Sequence, residues 1–190
     1  MRQVFVLIIV KFILIVKILA SSDHPNLLIM MSDDQSFPHA SAYGSKMIST
    51  PNFDKVAKEG ALFTNAFCAA PGCSPSRAAF LTGRHIWQIE EAGTHASSFP
   101  SKYSTFMRQL KDKGYHTGYT GKGWGPGNWK ISDRDENPAG PIYGSKKGNY
   151  AQAFKTFIND KPKDKPFAFW FGSSDPHRDF KKGSGLDSGK

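Results

Sequence analysis

Cys73 stands at the head of the run CSPSRAAFLTGR (73–84), in a chain with only two cysteines. Pro75 falls in the first turn of the helix this run predicts, and Gly83 closes it. A helix N-terminus stabilises negative charge through its free N–H groups. That address predicts a lowered thiol pKa at Cys73 and a seat for an anion. Arg77 lies one turn on, within reach of the same oxyanion through paired hydrogen bonds. A buried small cysteine beside a surface arginine satisfies the same spacing. Asp33 and Asp34 follow the apolar run NLLIMM (26–31). Adjacent carboxylates on a tight turn suit a hard divalent cation, or make a solvated turn. Lys122 sits between glycines, placed to reach an anionic substrate or simply water. His177, in SDPHRDF (174–180), could donate a proton to a leaving oxygen, with Asp175 or Asp179 to orient it, or serve only the loop's structure.

The elements that must position these residues alternate. NLLIMM reads as a buried strand, and TPNFDKVAKEG (50–60) as a helix capped by Thr50 with Pro51 at its first position. ALFTNAF (61–67) reads as a second strand. The helix from Cys73 follows, then an amphipathic helix over 104–114, a strand over 115–121, a glycine-rich loop and an irregular stretch over 130–148. A helix over 150–160 and a strand over 167–172 complete the pattern. Alternation of this kind predicts an α/β fold, a mostly parallel sheet with helices on both faces. Ligands in such sheets bind beyond the carboxyl ends of the strands. Asp33, Asp34, Cys73, Lys122 and His177 all fall there.

The composition is globular: 190 residues, 39% hydrophobic and 13% aromatic. Residues 1–22 hold three basic residues and no acid, leaving +6 of the +9 net charge to the remainder. They read as a secretory signal peptide, with Arg2 ahead of an apolar core and Ala20-Ser21-Ser22 at the cleavage point. Lys11 and Lys17 argue against a spanning helix. Export permits disulfides, but a Cys68–Cys73 bridge would close a tiny loop and block chemistry at Cys73, so both are expected to stay free. The tail is rich in lysine, which reads as a solvated surface. A nucleic-acid role has only charge behind it.

Four blocks in order over residues 26–180 resemble type I sulfatases: NLLIMMSDDQ, CSPSRAAFLTGR, GYHTGYTGKG and DPHR. The closest likeness is to heparan N-sulfatases (sulfamidases) and their bacterial relatives. The resemblance implies an alkaline-phosphatase-like fold and hydrolysis of a sulfate ester or N-sulfate on a sulfated glycan. It implies that a maturation enzyme oxidises Cys73 to formylglycine. One hydroxyl of the hydrated aldehyde would attack sulfur, and loss of the other's proton would expel sulfate. Asp33, Asp34 and an oxygen of the modified Cys73 would hold calcium. Arg77 would stabilise the hydrate, Lys122 would bind sulfate oxygens, and His177 would protonate the leaving group.

There are two departures from the family pattern. Trp124 stands where the family has a histidine two residues after the lysine; either that role is dispensable, or another residue such as His95 or His116 takes it. The downstream calcium ligands and a second substrate lysine have no match. Residues 23–190 therefore read as the N-terminal part of a sulfatase catalytic domain with its metal site half built, and the activity of the fragment alone is left open. The alternatives are a phosphodiesterase or phosphonate hydrolase of the same superfamily, or a non-catalytic sulfated-glycan binder using Arg77, Lys122 and the basic tail. Residues 85–100 are expected to line the rim. The location implied is extracellular, lysosomal or periplasmic, with no stable membrane partner.

Overall fold

A computed structural model describes residues 24–144 and 148–184; the signal peptide read at 1–22 lies outside them. Strand β1 (Leu27–Met31) is followed by helices α1 (Pro51–Glu59), α2 (Cys73–Thr82) and α3 (Phe106–Asp112). Strand β2 (His116–Gly121), helix α4 (Tyr150–Asp160) and strand β3 (Phe167–Gly172) follow.

The strands pair in the order β1-β3-β2, and both pairings are parallel. Parallel neighbours need long crossovers, which α1 to α3 and then α4 provide. Register brings Met31 beside Gly172, and Gly172 beside Gly121. Three carboxyl ends therefore finish level, and the residues after them share one rim.

Helices cover both faces, as side-chain alternation along β3 requires. Phe169 packs on Phe154 and Phe157 of α4, with ring centroids 5.0 and 4.5 Å away. Its neighbour Trp170, on the other face, meets Phe80 of α2 edge-on at 5.6 Å. Trp170, Phe169, Phe157, Phe99 and Leu81 are fully buried. Helix starts follow local chemistry. Thr105 accepts from the Arg108 N–H, and Asn149 from that of Gln152. Thr50 is at the N-cap of α1, but its hydroxyl is engaged by Ser41 and Asp54 instead.

The strand expected over 61–67 does not form. Those residues are exposed, and Phe63 is 71% accessible. Alternating hydrophobicity makes a strand only where a neighbour supplies ladder partners. Among the described residues nothing pairs with this segment, and the Phe63 carbonyl accepts from the Tyr43 hydroxyl instead. Leu28 and Met30 of β1 are also exposed, as are Phe53 and Val56 of α1.

Candidate active site

Asp33 lies two residues past β1, and its N–H donates to the Asp175 carbonyl beyond β3 at 3.0 Å. Its carboxylate is 5% exposed and receives two cations. Lys122 Nζ lies 2.5 Å from Oδ2, and Arg77 Nη2 lies 3.1 Å from Oδ1. Burial alone would raise the Asp33 pKa, but hydrogen bonds and charge from Lys122 and Arg77 win, holding it below the usual value. Arg77 Nη1 also donates to the Lys122 and Gly123 carbonyls at 2.8 and 3.2 Å. One guanidinium thus fastens the end of β1 to the end of β2. Its hydrogen-bond partners are Asp33 and these carbonyls.

The backbone at Lys122 is fixed by two glycines. The Lys122 N–H donates to the Gly172 carbonyl at 2.7 Å. A Cβ on Gly172 would overlap the Lys122 carbonyl oxygen, and one on Gly121, whose φ is +70°, would overlap the Gly172 carbonyl. Only hydrogen at both positions lets the strand ends approach this closely.

Asp34 comes next and is exposed at the rim. Its backbone is left-handed, with φ +58°, unusual for a residue other than glycine. Oδ1 is 3.6 Å from Cys73 Sγ, and Oδ2 is 3.5 Å from His177 Nε2. Asp34 thus presents a carboxylate to His177 Nε2, an acid that the sequence reading did not offer beside Asp175 and Asp179. Ligating atoms of Asp33, Cys73 and His177 all lie within 4.8 Å of one another.

Cys73 is the first residue of α2, with Gly72 as N-cap. It follows an irregular segment, not the expected strand. Cys68 and Cys73 are both free. The expectation of a lowered thiol pKa is overturned. Burial pushes it up, Lys122 pulls it down, and Asp33 and Asp34 raise it further. At this helix start, desolvation and two carboxylates raise it more than Lys122 lowers it.

Trp124 is 3% exposed and acts as an anchor. Its indole N–H donates to the Ser74 carbonyl at 3.1 Å, and its ring meets Phe99 edge-on at 5.2 Å. Ser74 Oγ in turn accepts from the Ala96 N–H at 3.1 Å. The first turn of α2 is thereby held from both the loop after β2 and residues 94–97. Of the two stand-in histidines, His116 is at the opposite end of β2, tilted on Phe157 at 4.6 Å. Exposed His95 borders the α2 start, its Cδ2 3.8 Å from where a Gly72 Cβ would lie.

The expected residues therefore come together: Asp33, Asp34, Cys73, Lys122 and His177 on the rim, with Arg77 beneath it. Sequence reasoning missed the anchoring by Trp124 and the glycine contact at Gly172. Carboxylate oxygens from Asp33 and Asp34 are hard donors of the kind calcium takes. In this structure the cations meeting the Asp33 carboxylate are Lys122 and Arg77.

A family model described as Sulfatase matches residues 25–184. N-acetylglucosamine-6-O-sulfatase of Bacteroides thetaiotaomicron is 32% identical over 179 residues, 82% of this chain and 31% of that protein. Arylsulfatase D of Homo sapiens is 40% identical over 116 residues, 54% of this chain and 19% of its own. The solved structure of Ps i-CgsB in complex with k-i-k-neocarrahexaose superposes with a TM-score of 0.63 at 21% identity, covering 84% of this chain and 47% of that one. The sheet is thus that of sulfatases with the alkaline-phosphatase-like fold. The chain spans under a third of these curated relatives and about half of that solved structure.

Proposed function

Because the chain belongs to the sulfatase family, we propose that it carries the nucleophile, the sulfate-binding lysine and the leaving-group acid of a sulfate-ester hydrolase acting on a sulfated glycan. The observation that supports this is the meeting of Cys73, Asp34, Lys122 and His177 at one rim.

Oxidised to formylglycine by a maturation enzyme and hydrated, residue 73 would supply an oxygen nucleophile and, through its second hydroxyl, a route for releasing sulfate. Asp34, 3.6 Å from Sγ, is placed to take a proton from the group at that position. Lys122 binds sulfate oxygens. His177 Nε2 protonates the leaving oxygen, which an alcohol needs far more than a phenol does. Arg77 acts at one remove: it positions Asp33 and the Lys122 backbone. Asp33 and Asp34, with an oxygen at position 73, would hold a calcium ion that polarises the sulfate. The segment at 1–22 directs export, to an extracellular, lysosomal or periplasmic location.

The test is expression with a maturation enzyme, mass spectrometry of the Cys73 peptide, and parallel assays on aryl sulfate and aryl phosphate, then on O- and N-sulfated glucosamine. Formylglycine at 73 with hydrolysis of the sulfates is expected. His177→Ala is expected to lose about 10²–10⁴ in rate on the sugar sulfates and much less on aryl sulfate. An unmodified thiol after competent maturation, or preference for the phosphate, would count against the reading.

A further inference from the structure

A cavity of about 580 Å³ opens beside Asp34, lined among others by Arg178, Asp179, Phe180, Lys181 and Lys182. That is the size of a ligand pocket, and it adjoins the acid that faces both Cys73 and His177. Three features give it chemical character. Phe180 is 90% exposed, and its ring meets that of His177 at 5.7 Å and 61°. An apolar ring bared to solvent next to the leaving-group acid is a platform for the C–H face of a sugar. Three cations line the cavity against two acids. Asp34 is already turned to Cys73 and His177, and Asp179 meets Lys181 only at 3.7 Å with both side chains about three-quarters exposed, a weak and screened pair. The loop is also tied: the Ser184 hydroxyl donates to the Asp179 carbonyl, and Arg178 Nη1 donates to Ser184 Oγ at 3.4 Å.

We propose that this cavity is the subsite for the sugar that carries the reacting sulfate, or for its neighbour. It selects a glycan with a second anionic group, a carboxylate or another sulfate. Phe180 stacks on the pyranose while Arg178, Lys181 and Lys182 meet the second charge. The inference rests on the sulfatase reading for its position beside the reacting group.

Binding to the full chain separates the two ideas. Calorimetry would compare three disaccharides: one monosulfated and otherwise neutral, one carrying a sulfate and a carboxylate, and one carrying two sulfates. Either dianionic sugar is expected to bind about fivefold to tenfold tighter than the monosulfated one, the sum of several exposed charge contacts. That ratio is expected to collapse toward one in Arg178→Ala/Lys181→Ala/Lys182→Ala, to survive in the charge-preserving Lys181→Arg, and to shrink with salt. Phe180→Ala is expected to weaken all three sugars alike. A ratio near one in the unaltered chain, or one unchanged in the triple variant, overturns the subsite. The two dianionic sugars show which second group is preferred. Aryl sulfate turnover by matured protein is measured separately: its absence counts against the catalytic reading, whatever the binding ratio.

Discussion

Removing the charge of Asp33 tests the architecture of the rim most directly. Asp33→Asn keeps the side chain's shape and leaves two cations facing a neutral amide. The Arg77 side chain is only 3% exposed, so its charge would remain buried without an ionised partner. Breaking one side of a buried pair costs about 3–5 kcal/mol. Arg77 keeps its two carbonyl acceptors, and Lys122, with a fifth of its side chain exposed, can turn to water. The loss therefore belongs at the low end, about 3 kcal/mol in metal-free buffer at neutral pH. Urea denaturation followed by tryptophan fluorescence suits the case, because Trp170 lies 6.0 Å from the guanidinium. With an m value ordinary for a domain of this size, the midpoint falls by about 1–2 M at unchanged slope. Lys122→Met alone costs about 1–2 kcal/mol, and the double variant falls short of the sum by about 1 kcal/mol. A loss below about 1 kcal/mol for Asp33→Asn, or strict additivity with Lys122→Met, would refute the idea that one carboxylate clamps the ends of β1 and β2.

Three further outcomes can be measured in the same way. Gly172→Ala drives a methyl into the Lys122 carbonyl; it is expected to lose at least about 2 kcal/mol, and wild-type stability would show that the strand ends have slack. Trp124→Phe removes the donor to the Ser74 carbonyl and is expected to lose about 2 kcal/mol, with faster amide exchange in the first turn of α2; unchanged exchange there would deny it an anchoring role. Burial holds the His116 pKa below its ordinary 6.5, so between the two values the unfolded chain binds the proton more readily than the folded one. Stability is then complete above pH 6.5, falls as the pH drops below it, and levels off beneath the folded pKa; His116→Phe is expected to flatten that limb, and a slope unchanged in the variant would assign it elsewhere.

The sequence already pointed to the rim, because strand ends and helix starts are local signals. Asp33 and Asp34 behind NLLIMM, and Cys73 ahead of Pro75, needed only short windows to place. What remained hidden was set by contacts across the chain. Arg77 and Asp33 lie 44 positions apart, and no pattern near either says that the two side chains meet. The thiol pKa was misjudged because a helix dipole is visible in sequence while burial and two facing acids are not. ALFTNAF has the alternation of a strand, but whether a neighbouring strand exists is not written in the alternation. Trp124 reads as a substitution for a histidine until Ser74 is seen to accept its N–H.

The open flank of the sheet bears on how the protein behaves in a tube. Among the described residues β1 has a partner on one side only; its Leu28 and Met30 are exposed, and helix α1 bares Phe53 and Val56. An apolar edge of that kind invites other chains to add to it. Solubility should therefore respond to Phe53→Lys or Val56→Glu, and a dye that brightens on greasy surfaces should dim in step.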